Sequence, residues 1–153
     1  VLEKQDGSGA LWEADSAWED VTVYRQYEGA KKAILALGAP AYLGGEAAES
    51  LEGSDSVDVY VVNALPLGEG VLADLLGKYP GGVVTIEDGL IGNPGVGIRG
   101  FASLVQSAAI GQSTPVAHVG IVDPTVAPSE GHLATWDHFG ITAEELVAAV
   151  QSL

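Results

Sequence analysis

The stretch Gly82-Val83-Val84-Thr85-Ile86-Glu87-Asp88-Gly89-Leu90-Ile91-Gly92-Asn93-Pro94-Gly95-Val96-Gly97-Ile98-Arg99-Gly100-Phe101-Ala102-Ser103-Leu104 decides the fold. Val83 to Ile86 is a short apolar run rich in β-branched residues, set behind Pro80-Gly81-Gly82, and it predicts a buried strand. The acidic pair Glu87-Asp88 falls where that strand should end. Gly89, Gly92, Gly95, Gly97 and Gly100, with Pro94, then carry the chain over the sheet edge as a loop, where positive φ or close backbone approach is expected. From Ile98 the spacing becomes helical, with Phe101, Leu104, Val105 and Ala108 predicted on one face.

The same alternation extends both ways. Upstream, Ala33 to Leu37 predicts a strand ended by Gly38-Ala39-Pro40. Tyr42 to Leu51 predicts a helix, weakened by Gly44-Gly45. Val57 to Asn63 is the next strand and is closed by Pro66. Glu69 to Tyr79 is the next helix, with Val71, Leu72, Leu75 and Leu76 as its apolar stripe. Downstream, Val116 to Val122 is the last strand, and Glu130 to Phe139 is a short helix ending at Gly140. Thr142-Ala143-Glu144-Glu145 reads as a capping box that opens the final helix, which has Leu146, Val147 and Val150 on one face. Strands buried on both faces and joined by helical crossovers predict a parallel or mostly parallel sheet between two helical layers.

Residues 1–27 read as an acidic N-terminal arm or linker, broken at Gly7-Ser8-Gly9, with an edge strand at Val21-Thr22-Val23-Tyr24. Leu11, Trp12 and Trp18 either pack onto the domain body or contact a domain further upstream. Residues 28–153 read as one α/β domain.

Composition narrows the function. The 153 residues are enough for a sizeable core. The net charge is −15, and no Lys or Arg follows Arg99. Cationic groups for phosphates are therefore scarce, which argues against nucleic acid and against an anionic membrane surface as partners. The acidity keeps the chain soluble, or suits a high-salt cytoplasm where screening removes self-repulsion. Zero cysteines exclude disulfides, thiol catalysis and Cys-ligated metals, and zero methionines exclude a Met-rich groove. No run is long and apolar enough to span a bilayer, and Val1 to Gly9 has no apolar signal-peptide region. A cytoplasmic chain is expected. Without an initiator Met, it reads as a fragment, a processed chain or a trimmed piece.

The segments "VVTIEDGLIG…GVGIRGFASLV" (from Val83), "KKAILALGAPAYLGGEAAESL" (from Lys31), "VDVYVVNALPLGEGVLADLLGKY" (from Val57), "PVAHVGIVDP" (from Pro115) and "HFGITAEELVAAVQSL" (from His138) occur in a telling order. Together they resemble the C-terminal domain shared by transketolase, deoxyxylulose phosphate synthase and the beta subunits of the 2-oxo acid dehydrogenases. The resemblance covers roughly Glu28 to Leu153. It implies a three-layer α/β/α sandwich around a mixed, mostly parallel five-stranded sheet. It implies a non-catalytic domain that supports dimer assembly in a thiamine diphosphate enzyme of ketol transfer or a related carboligation. The cofactors, thiamine diphosphate and Mg²⁺, would belong to the full enzyme and not to this chain. The partners would be upstream pyrimidine- and pyrophosphate-binding domains, or a subunit carrying them, in a homo-oligomer.

Four residues stand out as candidate interface or anion contacts: Glu87, Asp88, Arg99 and His132. Glu87 at a strand end suits a general acid or base. By the resemblance it is a structural and interface position, because the cofactor-activating glutamate lies in the preceding domain. Arg99 suits an anion beside a helix N-terminus, or a surface or interfacial salt bridge. The family usually has a small residue there. His132 lies beyond the last strand, at the edge where α/β sheets bind ligands. His118, inside an apolar strand, reads as a satisfied core or boundary residue, and His132 and His138 lack zinc spacing.

Gly95-Val96-Gly97-Ile98-Arg99-Gly100 matches the dinucleotide pattern G-x-G-x-x-G, with Asp123 near the ribose-binding distance. Against it, Glu87 to Pro94 separate strand from glycines, two carboxylates would repel a pyrophosphate, and the glycines are not in the first βα unit. Neither the hydrolase elbow nor the P-loop pattern is present. Two other classes stay open. One is a free-standing small-anion-binding or regulatory module using the loop from Asp88 to Arg99. The other is a structural subunit that docks a separate catalytic chain.

Overall fold

A computed structural model describes residues 2–3, 10–12, 19–51, 53–124 and 127–153. Near the start, β1 (Leu2–Glu3) pairs antiparallel with β2 (Ala10–Trp12). The side chains of Leu11 and Trp12, and all of Trp18, to which both readings of the arm refer, lie outside the described residues.

The five-stranded sheet contains β3 (Val21–Arg25), β4 (Lys32–Leu37), β5 (Val57–Val62), β6 (Gly82–Leu90) and β9 (Val116–Ile121), in the order β3-β5-β4-β6-β9. β3 is antiparallel to β5, and the other pairings are parallel. This is the mixed, mostly parallel sheet expected. Between β6 and β9 the chain forms the small hairpin β7 (Gly92–Asn93) and β8 (Gly97–Ile98).

The central strands alternate their side chains between two cores. Ile34, Ala36, Val59, Val61, Val84 and Ile86 face α1 (Ala41–Glu49), α4 (His132–His138) and α5 (Ala143–Ser152). Ala33, Leu35, Tyr60, Val62 and Val83 face α2 (Val71–Lys78) and α3 (Gly100–Ala109). Burial on both faces is why these strands read as continuous apolar runs.

Several boundaries differ from the sequence-based expectation. α2 starts at Val71 rather than Glu69, because Gly70 at its N-cap sits at φ 82° and breaks the helical path. α1 ends at Glu49, although Leu51 beyond it is buried. Gly44 and Gly45 do more than weaken α1: a Cβ on Gly44 would lie 2.9 Å from Val59 Cγ1, and one on Gly45 2.5 Å from Tyr24 Cε1. Their bareness lets the helix approach the sheet. The final helix begins as predicted, with Thr142 Oγ1 accepting from the Glu145 N–H at 3.2 Å. Lys32 Nζ donates to Val150 O at 2.8 Å and pairs with Asp55 at 2.9 Å, tying the end of α5 to the start of β4.

Candidate functional site

The loop at the C-terminal end of β6 departs most from its sequence reading. The strand does not stop at Ile86 but runs to Leu90, with a register irregularity against β9 between Ile86 and Leu90. The helix starts at Gly100 rather than Ile98, because Ile98 pairs with Gly92 in the β7–β8 hairpin. Ile91 N–H donates to Ile121 O at 2.9 Å, and Arg99 N–H donates to Ile91 O at 2.8 Å. Asn93 Oδ1 accepts from the Gly95 N–H at 2.8 Å and the Val96 N–H at 3.2 Å, closing the tip.

Glu87 is the buried centre of this arrangement, 5% exposed. Its Oε1 accepts the Ala102 N–H at 2.8 Å. Ala102 is the third residue of α3, and its N–H is one of those a helix cannot satisfy internally. Arg99, the N-cap residue, makes no side-chain cap bond. A carboxylate from a neighbouring strand therefore caps the helix, where charge-assisted bonding and the helix dipole both favour an anion. Gly100 makes room for it. Gly100 sits at φ +62°, and a Cβ there would lie 2.5 Å from Glu87 Oε2 and 2.8 Å from Oε1.

Asp88 and Arg99 are exposed, and among the described residues neither side chain has a hydrogen bond or ion pair. His132 opens α4, inside the helix expected over Glu130 to Phe139, with its ring edge-on to Trp136 at 5.4 Å. Trp136 is buried and stacks with Tyr42 of α1 at 6.1 Å. Phe101 and Val105 are buried on α3 as predicted, together with Ala102 and Ala109, whereas Leu104 of the same predicted face is 45% exposed.

His118 is a bridging residue. Its Nδ1 lies 2.8 Å from Thr85 Oγ1 and its Nε2 lies 3.1 Å from Gln106 Oε1, linking β9, β6 and α3. Gln106 Oε1 is an acceptor only, so Nε2 carries the proton and the Thr85 hydroxyl donates to Nδ1. Burial pushes the imidazole pKa down.

The sequence reading missed a buried polar cluster. Tyr79 Oη donates to Asp58 Oδ2 at 2.6 Å, Tyr60 Oη lies 2.6 Å from Tyr79 Oη, and the Tyr27 N–H donates to Asp58 Oδ1 at 2.8 Å. Burial, followed by its bonds to Asp58 and Tyr60, pushes the Tyr79 phenol far up. The cluster borders a polar cavity of about 500 Å³ shared with Gln26, Glu28 and Lys78. Asp58 stands near the start of β5, at the opposite end of the parallel strands from Glu87. The available signal was one carboxylate inside Val57-Asp58-Val59-Tyr60-Val61-Val62, a run otherwise built for a dry core.

The architecture defines a class: a three-layer α/β/α domain on a mixed five-stranded sheet with one antiparallel edge. No protein-family model and no curated protein matches the chain. Solved structures do match it. A split-gene transketolase, described as an inactive beta4 tetramer, superposes with a TM-score of 0.73 at 28% identity, over 95% of this chain and 46% of that chain. Transketolase from Campylobacter jejuni gives 0.60 at 18% identity, over 88% of this chain and 18% of that one. Transketolase from Leishmania mexicana gives 0.59 at 20% identity, over the same shares. The chain is therefore similar in fold to a transketolase C-terminal domain, and it spans less than half the length of the split-gene chain and about a fifth of the other two.

Thiamine diphosphate, the cofactor that fold relationship implies for a full enzyme, does not fit the glycine-rich loop of this chain. The glycine-rich loop leads to a helix N-terminus already capped by Glu87, so a pyrophosphate would meet a carboxylate there. The same contact disfavours the dinucleotide reading. Among the described residues no group of three His, Asp or Glu is placed to hold a metal ion, and no helix is long and apolar enough to cross a membrane.

Proposed function

We propose that this chain is the non-catalytic C-terminal domain of a thiamine diphosphate-dependent transketolase-type enzyme and supports its self-assembly. The observation that carries this reading is the match over 95% of the chain to a split-gene transketolase of which it spans 46%. Upstream pyrimidine- and pyrophosphate-binding domains, on the same or a separate chain, would then hold the cofactor and Mg²⁺ and perform ketol transfer. The self-association of that relative, a beta4 tetramer, supports a homo-oligomeric role. The β6 loop, with Asp88 and Arg99 exposed at its ends, is proposed as a contact with those upstream domains. The enzyme's place would be the cytoplasm.

The test is reconstitution. The chain alone should show no heat of binding with thiamine diphosphate and Mg²⁺, and no ketol transfer from a ketose phosphate. Mixed with the upstream transketolase segment from the same source, it should co-elute with it and restore turnover. Upstream domains that are fully active and fully assembled without the chain would refute the reading.

A further inference from the structure

On the α1–α5 side of the sheet, α1, α4 and α5 surround a hollow of about 180 Å³. Tyr42, Trp136 and Leu133 wall it with two aromatic rings and an alkyl chain, and Glu46, Asp137 and Glu144 stand round it, one from each helix. None of these helices contains a Lys or Arg, and among the described residues none of the three carboxylates is in an ion pair. Trp136 adds an independent signal. It is 5% exposed, yet its indole N–H donates to no acceptor among the described residues. No fully buried side-chain nitrogen among them lacks a partner, so this N–H reaches the surface, and the hollow is the surface its ring lines. An indole N–H can only donate, so it calls for an oxygen.

The walls select the occupant. Three carboxylates repel an anion and attract a cation. A bare metal ion is not that cation, since among the described residues no three carboxylate or imidazole groups stand close enough to hold one. Aromatic rings favour a cation whose charge lies under alkyl groups. The Tyr42 and Trp136 rings stack with centroids 6.1 Å apart, and Leu133, 47% exposed, offers the alkyl groups an apolar wall. The charge of Glu46 is felt at the ring: after burial, it is what pushes the Tyr42 phenol up. We propose that this hollow binds a small alkylammonium cation that carries a hydroxyl oxygen, of the choline class. The ammonium lies against the two rings among the three carboxylates, and the oxygen accepts the Trp136 N–H. The volume admits one such ion, being little above the ~150 Å³ cavity that accepts benzene in an apolar core. The hollow shares no residue with the β6 loop, and the inference does not depend on the proposed function.

The experiment is titration of the 153-residue chain with choline chloride, followed by calorimetry and by the indole ¹H–¹⁵N resonances. The chain has three tryptophans, and Trp136→Phe, or sequential assignment where that variant does not fold, identifies the Trp136 resonance. Choline should bind with a Kd of about 1–10 mM and shift that resonance. Tetramethylammonium, which has no oxygen, should bind roughly threefold to tenfold more weakly. Betaine, which brings a carboxylate to three others, should not bind. Glu46→Gln, at an exposed residue of α1, should weaken choline about threefold, with an unchanged circular dichroism spectrum and urea midpoint. Glu69→Gln, at an exposed residue just before α2 on the other face of the sheet, should leave the Kd unchanged. A Trp136 resonance unmoved by about 50 mM choline, or a Glu46→Gln chain that binds choline as tightly as the original, overturns the inference. So does tetramethylammonium or betaine bound as tightly as choline, or magnesium chloride that shifts the resonance as far as choline at the same concentration.

Discussion

Replacing Gly100 by alanine tests whether Glu87 caps α3. The new Cβ would sit 2.5 Å from Glu87 Oε2, about 0.9 Å inside ordinary contact. Withdrawing the carboxylate by that much stretches its 2.8 Å bond to the Ala102 N–H beyond the length of a hydrogen bond. A buried charge-assisted bond of this kind is worth about 1.5–3 kcal/mol. The left-handed backbone at φ +62° adds roughly 1–2 kcal/mol for any residue with a Cβ. Gly100→Ala should therefore cost about 2.5–5 kcal/mol, read from urea unfolding at constant m. The two contributions separate in a double-mutant cycle with Glu87→Ala. Without the carboxylate only the backbone cost remains, so the cycle should show a coupling on the order of the bond itself, about 1.5–3 kcal/mol. Glu87→Gln keeps an acceptor of the same shape but loses the charge on the helix dipole, and should cost about 0.5–2 kcal/mol. Equal costs of Gly100→Ala in both backgrounds would refute the argument: the glycine would serve its own φ and not the carboxylate.

Two further predictions concern the buried polar groups. Since the His118 pKa is depressed in the folded state, the unfolded chain binds a proton that the folded chain resists. Its contribution to stability is complete above the unfolded value of about 6.5 and is lost as pH falls through the folded pKa. His118→Gln should flatten that part of the urea-midpoint profile relative to the unchanged carboxylate background, and parallel profiles would dismiss the role of burial. Tyr79→Phe removes the donor to Asp58 and the partner of Tyr60, and should cost about 1–3 kcal/mol in the same assay; a loss below about 0.5 kcal/mol would mean that water replaces the hydroxyl without penalty.

The sheet and its layers were legible because both faces of β4, β5 and β6 are buried, and double burial writes itself as an uninterrupted apolar run. The edge strand was legible from the alternation in Val21 to Tyr24, but its antiparallel direction was not, because alternation carries no sign of strand direction. Element ends were less legible. Gly70 and Gly100 set the starts of α2 and α3 through positive φ, and a glycine in a sequence does not announce the sign of its φ. Leu104 was misassigned for another reason. Helical periodicity identifies an apolar stripe, but here the stripe is wider than the face the sheet covers, and its margin stands exposed.

The candidate site was legible as residues and not as a relation among them. Glu87, the glycines and the helix start were all visible in the chain, and the pattern Gly95-x-Gly97-x-x-Gly100 invited a phosphate. What the sequence does not state is that β6 continues four residues past Ile86 and delivers Glu87 to the third N–H of α3. That N-terminus is built for an anion, as the pattern suggests, and the anion is supplied from within the chain. The last glycine is bare for the reason a phosphate-binding glycine is bare, to let a negative oxygen approach. A glycine-rich loop with an acidic residue at the preceding strand end can thus be read in two ways, and the distance from that carboxylate to the helix start decides between them. At 2.8 Å the carboxylate itself occupies the helix N-terminus, and the loop is a structural joint between sheet and helix.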